Sequence, residues 1–185
     1  MADDRTIISD AVADRPGGFE RLVDRYSGLV WHIVHGMVRD RGDALDLCQE
    51  TFIRIHRCLG QFRFESSLAT WIGRIAYNVA VRSLERKRLP LTGFDEALVE
   101  ADPALGPEAL ADRVERADRV HALLDLLTPL QRTVVTLYHL DELPVSEVAE
   151  IVGVPTGTVK SHLFRARNRM REQLDAEEAI ENVRN

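Results

Sequence analysis

Leu143-Pro144-Val145-Ser146-Glu147-Val148-Ala149-Glu150-Ile151-Val152-Gly153-Val154-Pro155-Thr156-Gly157-Thr158-Val159-Lys160-Ser161-His162-Leu163-Phe164-Arg165-Ala166-Arg167 is the stretch whose reading settles the fold. Val148, Ala149, Ile151 and Val152 form one apolar helical face. Gly153 offers a left-handed turn residue, and Pro155 suits the first turn of a second helix. In that second helix Val159, Leu163 and Ala166 point inward. Thr158, Lys160, Ser161, His162 and Arg165 lie near its exposed N-terminal half, where side chains meet base edges in a major groove. Arg167, Arg169 and Arg171 suit phosphates. A solvated basic face on an all-α core is the plainer reading. Charge of one sign, small residues at the turn and the order of the helices argue jointly for a helix-turn-helix on DNA.

Moving upstream, Thr128-Pro129 marks a helix start, with Val134, Leu137 and Tyr138 facing inward behind it. Residues 89–112 hold Pro90, Pro103 and Pro107, many acids and no sustained period, and they read as a flexible linker. Before the linker, Phe19, Leu22, Val23, Tyr26, Leu29, Val30, Ile33, Val34 and Met37 repeat at helical spacing. A second helix, with Asp43 as its expected cap, carries the stripe Ala44, Cys48, Phe52, Ile55 and Leu59. A third has Leu68, Ile72, Ile75, Ala76 and Val79 inward and stops at Pro90. No alternating strand pattern occurs. The expectation is an all-α protein of two small helical domains joined by a flexible linker, the C-terminal one holding the helix-turn-helix. The polar tail beyond Leu174 is expected to fray.

Charge mapping resolves an apparent contradiction. The 185 residues carry a formal net charge of −6, unlike an ordinary nucleic-acid binder. Yet Arg63, Arg74, Arg82, Arg86, Lys87 and Arg88 outnumber Glu65 and Glu85, and residues 155–171 contain five bases and no acid. The acids concentrate between them, in residues 89–118. Segregation of this kind keeps two basic surfaces while net acidity weakens indiscriminate DNA binding.

Other classes recede. Cys48 and Cys58, ten residues apart on one helix, stand about 15 Å apart along its axis, too far for a disulfide. No His/Cys cluster suggests a metal, so no cofactor or metal is expected; His56-x-Cys58 is a poor match to zinc spacing. The N-terminus lacks a signal-peptide pattern, and the apolar run Leu29–Val38 is too short to span a bilayer. A cytoplasmic protein without membrane insertion is expected. No convergent carboxylates or histidine base form a catalytic constellation.

Two further features carry chemistry. Arg74, Asn78 and Arg82, four residues apart, form a polar stripe opposite the apolar face of the third helix. Phe62, Phe64 and Trp71 cluster beside the polar loop Glu65-Ser66-Ser67. Aromatics next to bases make a stacking surface for unpaired nucleotides, although such rings are more often core. The second helix presents Asp46, Gln49, Glu50, Ile53 and Arg57 away from its core stripe, which hints at a protein contact.

Four motifs, in order, resemble one family: Asp46-Leu47-Cys48-Gln49-Glu50-Thr51-Phe52; Phe62-Arg63-Phe64-Glu65-Ser66-Ser67-Leu68-Ala69-Thr70-Trp71-Ile72; Arg74-Ile75-Ala76-Tyr77-Asn78; and Gly157-Thr158-Val159-Lys160-Ser161. From about Phe19 to Leu174 the chain resembles bacterial RNA polymerase sigma factors of the extracytoplasmic-function (ECF) type, which have only domains 2 and 4. The resemblance implies an N-terminal extension (1–16), domain 2 (17–90), an acidic linker (91–113), domain 4 (114–176) and a tail (177–185). It implies that Leu45, Asp46, Gln49, Glu50, Phe52 and Ile53 dock on the β′ clamp helices of RNA polymerase core, with domain 4 resting on the β flap. The loop Arg63, Phe64, Glu65, Ser66 and Ser67 would capture a flipped base of the minus-10 non-template strand. Trp71, Arg74, Asn78 and Arg82 would hold the melted region. Thr158, Lys160, Ser161, His162, Arg165, Arg167 and Arg169 would read and grip duplex promoter DNA at minus-35.

An anti-sigma factor and a role in stress response are further implications of the resemblance. Phe64 stands where the family often has glycine, His162 where arginine is frequent, and Pro144 where a capping serine is frequent. The rival reading is a stand-alone helix-turn-helix transcriptional regulator. It accounts for residues 120–174 and leaves the aromatic helix and the two-faced second helix unexplained. An enzyme or a pure adaptor fits less well, the first for want of a catalytic site, the second because it needs no pair of basic surfaces.

Overall fold

The computed structural model describes residues 3–88 and 119–184, and all regular structure among them is helical. Helix α1 (Asp4–Val12) buries Ile7, Ile8 and Ala11 against α2 (Gly18–Met37). The resemblance implies no more than an extension for this N-terminal segment. Three apolar residues at helical spacing were its signal. In α2, Leu22, Val30, Ile33 and Val34 are fully enclosed, so the helix is the axis of the N-terminal half.

Helix α3 (Arg41–Cys58) is capped by Asp40 rather than by the expected Asp43. Asp40 has the extended backbone that a cap requires, and its Oδ1 accepts the Asp43 N–H at 2.7 Å. Asp43 is thereby the third helical residue, and its carboxylate pairs with Lys87 at the far end of α4. A short 3₁₀ turn (Leu59–Gln61) leads to α4 (Leu68–Arg88). Ser67 caps α4: its Oγ accepts the Thr70 N–H at 3.0 Å.

The C-terminal half opens with a helical segment over residues 119–125 (α5). Helix α6 (Pro129–His139) begins as the sequence predicts, with Thr128 and Gln131 forming a reciprocal capping box. Then come α7 (Val145–Val152) and α8 (Thr156–Arg184). The tail expected to fray instead continues α8. Glu177 on that extension pairs with Arg119 of α5 at 3.3 Å, and Gln173 bonds to it one turn earlier. The expected linker lies outside the described residues.

The two halves pack together: α2 lies on α6 and α4 on α7. Two glycines permit the approach. A Cβ on Gly36 would come within 2.7 Å of Thr133 Oγ1, and one on Gly73 within 2.8 Å of Ile151 Cδ1. Burying a side chain the size of Ile151 contributes about 2–3 kcal/mol, whereas an exposed ion pair such as Arg39–Asp125 contributes at most about 1 kcal/mol. The apolar seam therefore holds the halves, and the charges tune it. Arg132, only 5% exposed, crosses the seam. Its guanidinium donates to the carbonyls of Leu124 and Leu127 beside α5 and of Gly36 in the last turn of α2. One buried cation thus serves carbonyls on both sides.

Candidate nucleic-acid interface

In the helix-turn-helix, Gly153 has φ +69°, the left-handed turn foreseen. Pro155 lies one position earlier than expected: it precedes α8, and its carbonyl accepts the N–H groups of Thr158 and Val159. Val159, Leu163 and Ala166 are buried. That pins the opposite face of α8 outward, and Lys160, Ser161, Arg165, Arg167 and Arg169 are exposed on it. Thr158 and His162 are half-buried at the flanks. His162 Nδ1 is enclosed with no hydrogen-bond partner among the described residues, which turns that nitrogen away from a groove-facing role.

Phe164 was missed by the sequence reading. It is 65% exposed, and at about 100° per residue it shares the face of Ser161 and Arg165. The signal was available: Phe164 falls off the 159–163–166 stripe, so a helix that buries that stripe leaves the ring in water.

The second constellation gathers around the start of α4. Phe62 lies 4.8 Å from the Phe64 ring and 5.3 Å from that of Trp71, centroid to centroid. Trp71 and Phe62 are half-buried, so each is part core and part surface. Phe64 is 48% exposed and holds φ +57°. The loop keeps the left-handed backbone natural to glycine while carrying a phenyl ring, at a cost of about 1–2 kcal/mol. Arg63 and Glu65 are exposed and Ser66 half-buried beside it. Along α4, Arg74, Asn78 and Arg82 are all exposed, one turn apart. Loop and stripe therefore form one polar and aromatic surface.

Helix α3 presents the third. Leu45 and Ile53 are 49% and 52% exposed, with Asp46 and Gln49 exposed between them. Phe52 is half-buried and lines an open apolar depression with Phe19, Ile53, His56 and Arg57. Glu50 pairs with Arg54 one turn on. Burial pushes the Cys48 thiol up to about 11, so it stays protonated and inert, and Cys58 is raised the same way. Among the described residues no cluster suited to a metal ion occurs, and no helix is long and apolar enough to cross a membrane.

The two basic surfaces are linked by a contact that no sequence pattern announces. Glu147 of α7 lies at the N-terminus of α4, where its carboxylate accepts from Ser67 Oγ at 2.6 Å and from the Thr70 hydroxyl. The end of a helix that favours an anion thus holds one from the helix-turn-helix. Ser67, assigned to the loop, is simultaneously the cap of α4 and a donor to the other half.

Family models for sigma-70 region 2 and for sigma-70, region 4 match residues 22–89 and 117–170. The chain is 36% identical over 158 residues to the RNA polymerase sigma-H factor of Pseudomonas aeruginosa, covering 80% of this chain and 82% of that protein. It is 34% identical over 173 residues to the ECF RNA polymerase sigma-E factor of Escherichia coli, covering 89% and 90%. Among solved structures, CnrH in complex with the cytosolic domain of CnrY aligns with a TM-score of 0.67 at 25% identity, covering 94% of this chain and 97% of that one. The sigma factor RpoE of Bartonella quintana, in complex with the anti-sigma factor NepR, aligns with a TM-score of 0.66 at 25% identity, covering 86% and 98%.

Proposed function

The chain belongs to the sigma-70 family of RNA polymerase sigma factors, in its ECF group, and on that premise we propose how its residues divide the work. It is a sigma factor that directs RNA polymerase core to specific promoters and nucleates their melting. It does so as a cytoplasmic specificity subunit with no bond chemistry of its own.

Residues 17–90 act as domain 2, 114–176 as domain 4, and 91–113 as the linker. Leu45, Asp46, Gln49, Glu50, Phe52 and Ile53 dock on the β′ clamp helices; the exposed Leu45 and Ile53 supply the apolar part of that contact. Arg63–Ser67 capture a base of the non-template strand, and Trp71, Arg74, Asn78 and Arg82 hold the strand that follows. Opening duplex costs about 1.4 kcal/mol per stacking step. Each captured base returns about 1–3 kcal/mol, so two or three captures, added to polymerase contacts, tip a short segment open. Lys160, Ser161 and Arg165 read minus-35, Thr158 and His162 flank them, and Arg167 and Arg169 hold phosphates. Phe164 joins the readers. An anti-sigma factor is a further partner, as it is for the Bartonella RpoE.

The observation that carries this reading is the ladder Arg74–Asn78–Arg82 running out from the exposed Phe64 loop. The packing of α4 on α7 adds a condition. Promoter elements about 25 base pairs apart are separated by about 85 Å of duplex at 3.4 Å per step. A hydrogen bond of 2.6 Å between Ser67 and Glu147 belongs to a form that must open first. Residues 91–113, fully extended, reach at most about 80 Å; together with the width of the modules that suffices.

Asn78→Ala should impair promoter opening while leaving core association intact. Permanganate reactivity of the melted thymines, compared with co-purification of core, is the measurement. Normal reactivity in the variant would remove Asn78 from the strand-holding role.

A further inference from the structure

We propose that Arg5, on α1, is a strand-contacting residue of the minus-10 site: held over the Phe64 ring, it grips a backbone phosphate of the non-template strand beside the captured base. This rests on the assignment of the Arg63–Ser67 loop to base capture.

The Arg5 guanidinium carbon lies 5.0 Å from the centroid of the Phe64 ring, inside the range for a cation over an aromatic face. Phe64 in turn meets the half-buried Phe62 in a tilted contact, so the guanidinium is the outermost member of an aromatic cluster. The placement is fixed by α1. Ile7 and Ile8 are buried, and the Tyr26 hydroxyl donates to Asp4, the residue next to Arg5, at 2.9 Å. Phe64 is also fixed, because its φ of +57° turns the chain at that residue and leaves the ring half in solvent.

Charge pairing separates Arg5 from its neighbours. Arg15 and Arg21 both pair with Asp10, and Arg25 pairs with Asp4. Among the described residues Arg5 has no carboxylate within ion-pair distance, and it is exposed. A guanidinium held over a ring face without a carboxylate partner has N–H donors left for an anion. Single-stranded nucleic acid is bound by this pairing of a stacking platform with a nearby cation. The anion at hand, next to a base in the loop, is the strand's own phosphate.

The test uses the full chain bound to core polymerase and a fluorescein-labelled single strand carrying the minus-10 segment of a promoter mapped by transcript-start sequencing. Arg5→Ala should weaken binding about fivefold. It should also lower the slope of log K against log salt by about 0.7, the value for one phosphate contact on a single strand. Arg5→Lys should keep the slope and lose part of the affinity, since an ammonium does not stack flat. Thermal unfolding of Arg5→Ala should match wild type. Unchanged affinity in Arg5→Ala while Phe64→Ala binds poorly overturns the Arg5 role and leaves base capture standing. Weakened affinity with an unchanged slope also overturns it, because no phosphate is then involved. If Phe64→Ala binds normally as well, base capture by this loop fails, and the Arg5 proposal with it.

Discussion

Arg132 shows how one side chain can matter to a fold without belonging to any of its exposed surfaces. Its guanidinium is nearly enclosed and donates to three backbone carbonyls on two helical layers. Burial lowers its pKa, and Arg39 adds to that, while Asp125 opposes it; an arginine still keeps its charge. Arg132→Met would fill the space and take the guanidinium from the Gly36 and Leu127 carbonyls, while the Leu124 carbonyl keeps the Leu127 N–H. At about 1–3 kcal/mol for each buried group left unpaired, a loss of about 3 kcal/mol or more is expected, read by urea unfolding. A change under about 1 kcal/mol would mean that water replaces the guanidinium.

Phe164 is the opposite case, a side chain that costs nothing to remove from the fold. Phe164→Ala should leave unfolding unchanged and relax sequence preference at one thymine of minus-35 by about 1 kcal/mol. Arg165→Ala should relax it by about 1–3 kcal/mol. A binding selection against randomised duplex separates the two, because each should affect its own base pair. An identical profile for Phe164→Ala and wild type would remove that ring from the readout.

At the scale of elements, helix starts do more than end a loop here. Thr128 and Gln131 close a capping box with reciprocal contacts of 3.3 and 3.1 Å. That fixes where α6 begins and hence how Thr133 meets Gly36. Thr128→Ala should cost about 1 kcal/mol in thermal unfolding, with Thr128→Ser close to wild type. Equal losses in both variants would show that the β-branched methyl, not the hydroxyl, matters. The Ser67 cap resists the same treatment: its hydroxyl also donates to Glu147, so removing it disturbs α4, the loop and the inter-module contact together.

Across the whole molecule the closed arrangement should depend on pH through two histidines of α2. The His32 Nδ1–H donates to both oxygens of Asp141 at 3.0 Å. That hydrogen bond raises the His32 pKa against the opposing effect of burial. A base whose pKa is raised on closure contributes fully below its ordinary value, about 6.5, and loses that contribution as pH rises through the raised one. His35 behaves in the reverse sense. Burial lowers its pKa, and His121 and Arg132 from the other half lower it further. Its neutral form therefore favours closure, and that contribution fades as pH falls. Closure should be tightest in the window between the lowered and the raised values. Small-angle scattering of the free protein should show its smallest radius of gyration there. Asp141→Asn should abolish the expansion on the alkaline side and keep that on the acidic side. A radius that ignores pH in the wild type would show that the apolar seam alone controls closure.

Much was legible beforehand because it depends on local repetition. The apolar periods of α2, α4, α7 and α8, the Thr128–Pro129 start and the Gly153 turn are set by residues within one or two turns of each other. The family motifs are similarly contiguous, so the three candidate surfaces could be named residue by residue. The sequence alone therefore determined the helical character of the described residues, the helix-turn-helix and the candidate residues proposed here for polymerase and DNA. Tertiary structure decided what those sets do in the folded molecule. Arg5 reaches Phe64, Glu147 reaches Ser67 and Arg132 reaches Gly36 only because helices distant along the chain lie side by side. Their spacing carries no period, so no local pattern encodes it. Buried volume and close approach select such contacts, and both exist only once the core has formed.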